Sequence, residues 1–288
     1  MQQDIDSLVP ARGPYSRRDV MRSAVGTGFA AAVLPVLAQT AIKTDSAGLT
    51  TGEVMIPAGD YQVPAYRAAP AGRTGLPVVL VISEIFGVHE YIADVARRFA
   101  KAGYLAIAPE LFVRQGDAGS FGEIAKLISE VIAKTPDAQV MGDLDATVAW
   151  AKTQGADTSR LGITGFCWGG RTTLMYAAHN SEVKAAVAWY GAVERSYHPG
   201  DSTPLEVAGR IKAPVLGLYG AADDGIPNDT VRKMREALKA AGNRKSHFVL
   251  YPGMPHAFHA DYRPTYRKAA ANDGWKRCLA WFRANGLA

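Results

Sequence analysis

From position 76 onward, short apolar runs rich in β-branched residues alternate with longer segments of helical period. Such alternation is typical of a mostly parallel sheet covered by helices on both faces, so it predicts the α/β fold class. Strands are predicted at residues 78–83, 104–108, 161–166, 185–190, 215–219 and 247–251. Helices are predicted at residues 91–102, 122–133, 140–153, 170–179, 229–241 and 266–284. An antiparallel hairpin over residues 52–68 is expected at one edge of the sheet.

A glycine-rich turn joins the third predicted strand to the helix that follows it. Its residues are Gly165-Phe166-Cys167-Trp168-Gly169-Gly170. α/β-Hydrolases place their nucleophile at such a strand-to-helix turn, where the residues two positions away must lack bulky side chains. The positive end of the following helix also favours a thiolate. Cys167 is therefore the predicted nucleophile, and the alternative interpretation is a tight turn around a buried cysteine.

A carboxylate and a histidine follow this turn in the order that the architecture requires. Asp223 lies beyond the fifth predicted strand, and His256 lies in the loop beyond the sixth. Because open α/β sheets place catalytic groups at the carboxyl ends of their strands, Asp223 and His256 are the predicted acid and base. Asp224 is the alternative acid, and His259 is the alternative base.

Charge and cysteine content exclude several other classes of protein. The 32 basic and 27 acidic residues give a net charge of +5, and the basic residues are scattered, so no nucleic-acid partner is predicted. The two cysteines, Cys167 and Cys278, are expected to be free thiols. No histidine pair has a zinc-binding spacing, and no metal or cofactor is predicted. His89 and His198 lie in loops at the border of the expected pocket.

Residues 1–45 differ in composition from the rest of the chain and predict an export signal with a linker. The run Ser16-Arg17-Arg18-Asp19-Val20-Met21 precedes an uncharged stretch over residues 24–38, an order that resembles a twin-arginine signal. That stretch is shorter than the roughly 20 residues that span a bilayer, so no stable membrane anchor is expected in the mature protein. The predicted partner is the twin-arginine export machinery and the predicted location is periplasmic or secreted. Cleavage is expected near Gln39, with Ala41 as an alternative end point, and a mobile tail is the alternative to a signal.

Five separated motifs resemble the dienelactone hydrolase family of cysteine-dependent α/β-hydrolases, from about residue 52 to the C-terminus. They are Ser83-Glu84-Ile85-Phe86-Gly87, Pro109-Glu110-Leu111-Phe112, Gly165-Phe166-Cys167-Trp168-Gly169-Gly170, Tyr219-Gly220-Ala221-Ala222-Asp223 and Gly253-Met254-Pro255-His256-Ala257-Phe258. The resemblance implies an α/β-hydrolase domain over residues 46–288 that acts on esters or lactones. It also implies that Cys167 is the nucleophile, His256 the base and Asp223 the acid that orients it.

The same resemblance assigns roles to residues that the pattern alone leaves open. Glu84 matches a glutamate that contacts the resting cysteine and takes part in its activation. Because a nearby anion disfavours a thiolate, Glu84 must accept the thiol proton or move when substrate arrives. The backbone N–H groups of Ile85 and Trp168 are expected to form the oxyanion hole.

Substrate recognition departs from the family pattern at one position. Family members that act on dienelactone hold the substrate carboxylate with arginines, one of them four residues after the catalytic histidine, and Ala260 occupies that position here. Arg263 and Arg114 are candidate replacements. The candidate substrate-binding residues are Phe86, Arg114, Tyr190, His259 and Arg263.

The sequence thus predicts a hydrolase that cleaves a small-molecule ester or lactone through a thioester intermediate. One alternative is a binding protein with the hydrolase fold and no catalytic activity, since a fold does not fix a function. Another alternative is an amidase or peptidase that uses the same three residues.

Overall fold

The computed structural model describes residues 41–288, so the predicted export signal over residues 16–38 lies outside the described residues. The strands are β1 (Leu49–Ala58), β2 (Tyr61–Pro70), β3 (Pro77–Ile82), β4 (Leu105–Pro109), β5 (Asp157–Phe166), β6 (Val183–Trp189), β7 (Val215–Gly220) and β8 (His247–Tyr251). The helices are α1 (Glu90–Lys101), α2 (Ile124–Glu130), α3 (Asp137–Thr153), α4 (Trp168–His179), α5 (Pro204–Val207), α6 (Asn228–Ala240) and α7 (Lys268–Ala284).

The strands of residues 41–288 form one eight-stranded sheet in the order β1-β2-β4-β3-β5-β6-β7-β8. β1 and β2 pair antiparallel, as do β2 and β4, and every other pair is parallel. The predicted edge hairpin and the predicted parallel body are therefore confirmed. The strand order reverses around β3, which lies between β4 and β5. Ligands of open α/β sheets bind at such a reversal, beyond the carboxyl ends of the strands.

Helices on both faces bury the middle of the sheet. Every residue of β3, β4 and β7 is buried, which explains why these strands are continuous apolar runs and not alternating ones. On the outer layer, α6 buries Val231, Met234 and Leu238, which lie on one face at helical spacing, and exposes most of its charged residues. Within residues 41–288, no helix has the length and apolar composition needed to cross a bilayer.

The prediction of one continuous helix over residues 122–133 is wrong. The segment 122–133 contains α2, which ends at Glu130, and then a separate 3₁₀ turn over Ile132–Lys134. Val131 leaves the helical region with φ −120° and ψ −63°, and its side chain and that of Ile132 are both buried. Because Val131 leaves helical geometry, α2 cannot continue, and the chain resumes as the 3₁₀ turn. The other predicted strands and helices are confirmed, with shifts of at most four residues at their ends.

Candidate active site

Cys167 occupies the sharp turn between β5 and α4. Its backbone has φ 56° and ψ −113°, a combination that residues other than glycine rarely adopt. Cys167 is also the N-cap of α4. The turn is fixed from both sides, because the Cys167 N–H donates to the Trp189 carbonyl at 3.0 Å and its carbonyl accepts from the Arg171 N–H at 3.1 Å. The side chain of Cys167 is partly exposed at the carboxyl end of β5, whereas Cys278 is buried in α7, and both thiols are free.

The glycines around Cys167 allow three backbone segments to approach closely. A Cβ at Gly165 would lie 2.2 Å from the carbonyl oxygen of Gly169, and a Cβ at Gly169 would lie 2.4 Å from the carbonyl oxygen of Ile82. Both distances are far below a permitted contact, so no other residue fits without moving the backbone. The steric role predicted for these glycines is confirmed. The same approach brings the first turn of α4 against the end of β3.

Asp223 and His256 meet beyond the ends of β7 and β8. His256 Nδ1 lies 2.6 Å from Asp223 Oδ2, and Asp223 Oδ1 accepts from the Gly225 N–H at 2.9 Å, so both carboxylate oxygens are held. The two loops can approach because Gly220 has no Cβ; one there would lie 2.2 Å from the Met254 carbonyl oxygen. Asp224, the alternative acid, is exposed.

The electrostatic environment of His256 favours its protonated form. Burial alone would lower the pKa of His256, but the charge and hydrogen bond of Cys167, together with Asp223, raise it to about 10. Because Nδ1 is hydrogen-bonded to Asp223, Nε2 is the nitrogen that interacts with Cys167. The ring of Tyr190 packs edge-on against His256 at a centroid distance of 5.1 Å and limits its rotation.

Glu84 follows β3 and is almost completely buried. Its Oε2 accepts a hydrogen bond from the Tyr262 hydroxyl at 2.5 Å, and its Oε1 lies 3.7 Å from Arg263 Nη1. The ring nitrogen Nε2 of His89 is 3.7 Å from Oε2. Burial alone would raise the pKa of Glu84, but the adjacent His89 ring, the charge of Arg263 and the Tyr262 hydroxyl hold it below its ordinary value. Glu84 is therefore an ionised carboxylate with a fixed orientation at neutral pH.

Comparison with known proteins agrees with this architecture. The sequence pattern that defines the dienelactone hydrolase family matches residues 63–286. The chain belongs to the dienelactone hydrolase family. A dienelactone hydrolase has the α/β-hydrolase fold and is a carboxylic ester hydrolase, so the protein is a hydrolase of esters or lactones.

Individual relatives cover most of this chain. It is 57% identical to a Methylorubrum extorquens protein named "Putative carboxymethylenebutenolidase", over 99% of this chain and 98% of that one. An Escherichia coli K12 protein of the same name is 50% identical over 90% of this chain and 96% of its own. A crystal structure titled "Putative Dienelactone Hydrolase", from Klebsiella pneumoniae, is 52% identical with a TM-score of 0.79, covering 82% of this chain and 98% of that one.

The expected oxyanion hole lies where β3 meets α4. Trp168 is the first residue of α4, so its N–H has no partner within the helix and points out of the N-terminal end. Ile85 directly follows Glu84 and is buried, as is the Trp168 side chain, which packs on Phe112 at a centroid distance of 4.5 Å. Phe86 is partly buried beside them.

Two candidate substrate-binding residues have structural partners elsewhere in the protein. Arg114 forms a two-pronged ion pair with Asp143, with 2.8 Å between Nη2 and Oδ1, and its guanidinium lies over the Tyr61 ring at 4.5 Å. His259, also the alternative base, is buried with Nδ1 2.6 Å from the Tyr91 hydroxyl. Burial, followed by the charge of Arg98, lowers the pKa of His259 well below its ordinary value. His259 is therefore a neutral core residue.

Tyr190 and Arg263 are site residues that the sequence predicts, whereas Tyr262 is one that it does not. The structure brings all three residues beside Glu84. Tyr262 donates directly to that carboxylate, and its only signal in the sequence is its place in the charged run Asp261-Tyr262-Arg263 after the predicted histidine. Such a run in a loop is usually solvated, so the burial of Asp261 and Arg263 could not be read from the pattern.

Proposed function

We propose that this family member cleaves its ester or lactone with Cys167 as the nucleophile and through a thioester intermediate. The observation that carries the proposal is the position of His256 between two groups. Its Nδ1 is hydrogen-bonded to Asp223, and the other side of its ring interacts with Cys167. A histidine oriented in this way by a buried carboxylate is the base that activates serine and cysteine nucleophiles. The strained turn projects Cys167 toward the end of the sheet where substrate binds.

The first half of the reaction forms the thioester. The Cys167 thiolate attacks the carbonyl carbon, and the carbonyl electron pair moves onto oxygen, where the N–H groups of Trp168 and Ile85 stabilise the negative charge. Collapse of this tetrahedral intermediate breaks the bond to the alcohol oxygen. The departing alkoxide takes the proton that His256 carries on Nε2, which leaves the imidazole neutral.

The second half releases the acid and restores the site. Neutral His256 takes one proton from a water molecule, while the oxygen of that water attacks the thioester carbonyl. The new tetrahedral intermediate expels the Cys167 thiolate and yields the carboxylic acid. The thiolate and the imidazolium are then paired as before. Asp223 stabilises the imidazolium in both resting and reacting states.

Glu84 acts in this proposal as a fixed negative charge beside the nucleophile. The pKa of His256 is raised to about 10, whereas that of Glu84 lies below its ordinary value, so His256 is protonated and Glu84 is ionised at neutral pH. Arg263 offsets the charge of Glu84 at 3.7 Å and reduces its repulsion of the nearby thiolate. Tyr262 keeps the carboxylate oriented.

The decisive experiment traps the acyl-enzyme. The protein is mixed with 4-nitrophenyl butyrate, quenched in acid within the first turnovers and digested, and the butyryl group is located by mass spectrometry. We expect it on the peptide that contains Cys167, absent after Cys167→Ala and retained after Cys278→Ala, which removes the buried thiol of α7. Turnover that persists in Cys167→Ala, or an acyl group on another residue, would refute the cysteine mechanism.

We also propose that the protein is exported by the twin-arginine route. The support is the order of the N-terminal zones, in which Arg17 and Arg18 precede an uncharged apolar stretch and then small residues. Expression in a Gram-negative host followed by cell fractionation tests this. The mature protein should be recovered from the periplasm with an N-terminus near Gln39, and the double variant R17K/R18K should remain in the cytoplasm. Equal periplasmic recovery of both forms would contradict export by this route.

A further inference from the structure

Unpaired polar atoms are concentrated beside Cys167. Within residues 41–288, Glu84 Oε1, His89 Nδ1 and Nε2, the Tyr190 hydroxyl and Arg263 Nε are buried and have no hydrogen-bond partner. The four residues are only 1%, 4%, 0% and 5% exposed. Proteins pair almost all buried polar groups, so four such residues in one place indicate that something polar binds there.

These four residues form one group, although they come from four different segments. Glu84 follows β3, His89 caps α1, Tyr190 follows β6, and Arg263 lies in the loop before α7. His89 and Arg263 each lie 3.7 Å from the carboxylate of Glu84. Burial, and then the charges of Glu84 and Cys167, raise the pKa of Tyr190, while the adjacent Tyr91 hydroxyl and the charge of Arg263 act in the opposite direction. The Tyr91 hydroxyl already pairs with His259 Nδ1 at 2.6 Å and lies beyond hydrogen-bond geometry from Tyr190. The group therefore lies at the carboxyl end of the sheet, next to the sulfur.

The guanidinium of this group already has a counter-charge. Arg263 is positive and its Nη1 lies 3.7 Å from Oε1 of the negative Glu84. A second carboxylate buried here would have no counter-charge of its own, and burial of an unpaired charge is costly. The group that fits is uncharged. It must also accept a hydrogen bond, from Arg263 Nε or the Tyr190 hydroxyl, and donate one, to Glu84 Oε1.

We infer that Glu84, Tyr190 and Arg263 form a subsite for a neutral hydroxyl group on the acyl part of the substrate, with His89 beside Glu84. This inference rests on the proposed function because the hydroxyl is placed relative to a carbonyl bound at Cys167. The substrate class is a hydroxyacyl ester or a hydroxylated lactone. A hydroxyl is the smallest neutral group that both donates and accepts, so it pairs with Glu84 and Tyr190 at once.

Three 4-nitrophenyl esters of similar length test the subsite: butyrate, 3-hydroxybutyrate and the succinate monoester. In the wild-type protein we expect kcat/KM for 3-hydroxybutyrate to exceed that for butyrate by about 5- to 10-fold, the size of one net hydrogen bond. The anionic succinate ester should be slower than butyrate. A wild-type protein that does not prefer the hydroxyl, or that prefers the succinate ester, would overturn the inference.

Two variants test which atoms are responsible, each compared through ratios between substrates in the same protein. Tyr190→Phe removes one of the partners of the substrate hydroxyl and should lower the ratio of 3-hydroxybutyrate to butyrate toward one. Glu84→Gln removes the charge that offsets Arg263 and should raise the ratio of succinate ester to butyrate by about tenfold. Tyr251→Phe is the matched control, since its hydroxyl pairs with Asp273 away from the site, and both ratios should stay at their wild-type values. Wild-type ratios in Tyr190→Phe and Glu84→Gln would overturn the assignment.

A binding measurement separates this inference from the cysteine mechanism. The ketones 4-hydroxy-2-pentanone and 2-pentanone mimic the two acyl groups, and neither requires turnover. The hydroxyketone should protect the site thiol from iodoacetamide at about fivefold lower concentration than the plain ketone. Equal protection would overturn the subsite even if the acyl group is found on Cys167. Stronger protection by the hydroxyketone would support it even if the acyl group is found elsewhere.

Discussion

His256 Nδ1 lies 2.6 Å from Oδ2 of Asp223, a carboxylate that is buried and held by a second hydrogen bond from the Gly225 N–H. Two loops that are far apart in the chain thus fix one imidazole in one orientation. A neutral replacement of the carboxylate would keep the shape of this contact and remove its charge.

Asp223→Asn should therefore lower kcat on 4-nitrophenyl butyrate by on the order of 1,000-fold, because the imidazolium loses its counter-charge and the ring can take the wrong tautomer. The pKa of His256 should fall from about 10 toward its ordinary value. Asp224→Asn is the matched control, since Asp224 is exposed, and its kcat should stay within about twofold of wild type. If Asp224→Asn lowered kcat more than Asp223→Asn does, Asp224 would be the acid.

His259 should make the fold sensitive to mild acid. The pKa of His259 is lowered well below its ordinary value in the folded protein, mainly by burial, so the unfolded chain binds a proton that the folded chain does not. The stabilisation that neutral His259 contributes is complete above the pKa of a histidine in the unfolded chain, near 6.5. It is lost as the pH falls below that value, by up to about 1.4 kcal/mol per pH unit.

Urea denaturation between pH 7 and pH 5 measures this dependence. His259→Asn, which cannot titrate, should show a shallower loss of unfolding free energy over that range. His247→Asn is the control, because His247 is exposed at the start of β8, and its profile should follow the wild type. Parallel profiles for wild type and His259→Asn would show that another group causes the acid sensitivity.

Gly169→Ala should destabilise the protein severely, by about 3 kcal/mol or more, because the added methyl would lie 2.4 Å from the carbonyl oxygen of Ile82.

Gly142→Ala should have the opposite effect on the free energy of unfolding. Gly142 is exposed in the interior of α3, where a Cβ meets nothing within 4 Å, so alanine should stabilise the protein by about 0.5–1 kcal/mol. Thermal unfolding of both variants checks the pair. A tolerated Gly169→Ala would mean that β3 and α4 are not as close as described.

Arg171 anchors the loop that follows β6 to the helix that carries the candidate nucleophile. It is fully buried, pairs with Asp137 through both terminal nitrogens at 2.6 and 2.7 Å, and donates to the carbonyls of Arg195 and Ser202. Arg171→Gln should lower the free energy of unfolding by about 3–5 kcal/mol, since Asp137 would lose its counter-charge.

The control for Arg171→Gln is Arg277→Gln, in which an exposed arginine leaves its partner Asp273 on the surface. Its effect should be about 1 kcal/mol or less. Urea denaturation of the two variants measures the difference. Equal losses of unfolding free energy in the two variants would show that burial does not strengthen the ion pair of Arg171 with Asp137.

Much of the site could be predicted because its chemistry is tied to local rules. The turn around Cys167 demands glycine at fixed positions, and the carboxyl ends of parallel strands collect functional residues, so order along the chain leads to His256 and to the pair Asp223 and Asp224. The surroundings of Glu84 could not be found in this way. Tyr262 and Arg263 are polar residues of a loop, and nothing in their spacing shows that the loop folds inward.

The sequence by itself determined the α/β layering, the edge hairpin and the strand-to-helix turn, because periodicity and glycine positions act within a few residues of each other. The tertiary structure decided which of two adjacent aspartates meets His256, that His259 is a neutral core residue, and that Arg263 balances Glu84. Each of these outcomes depends on burial and on charges brought together from distant segments. Such energies depend on distance and solvent exposure in three dimensions, and not on separation along the chain.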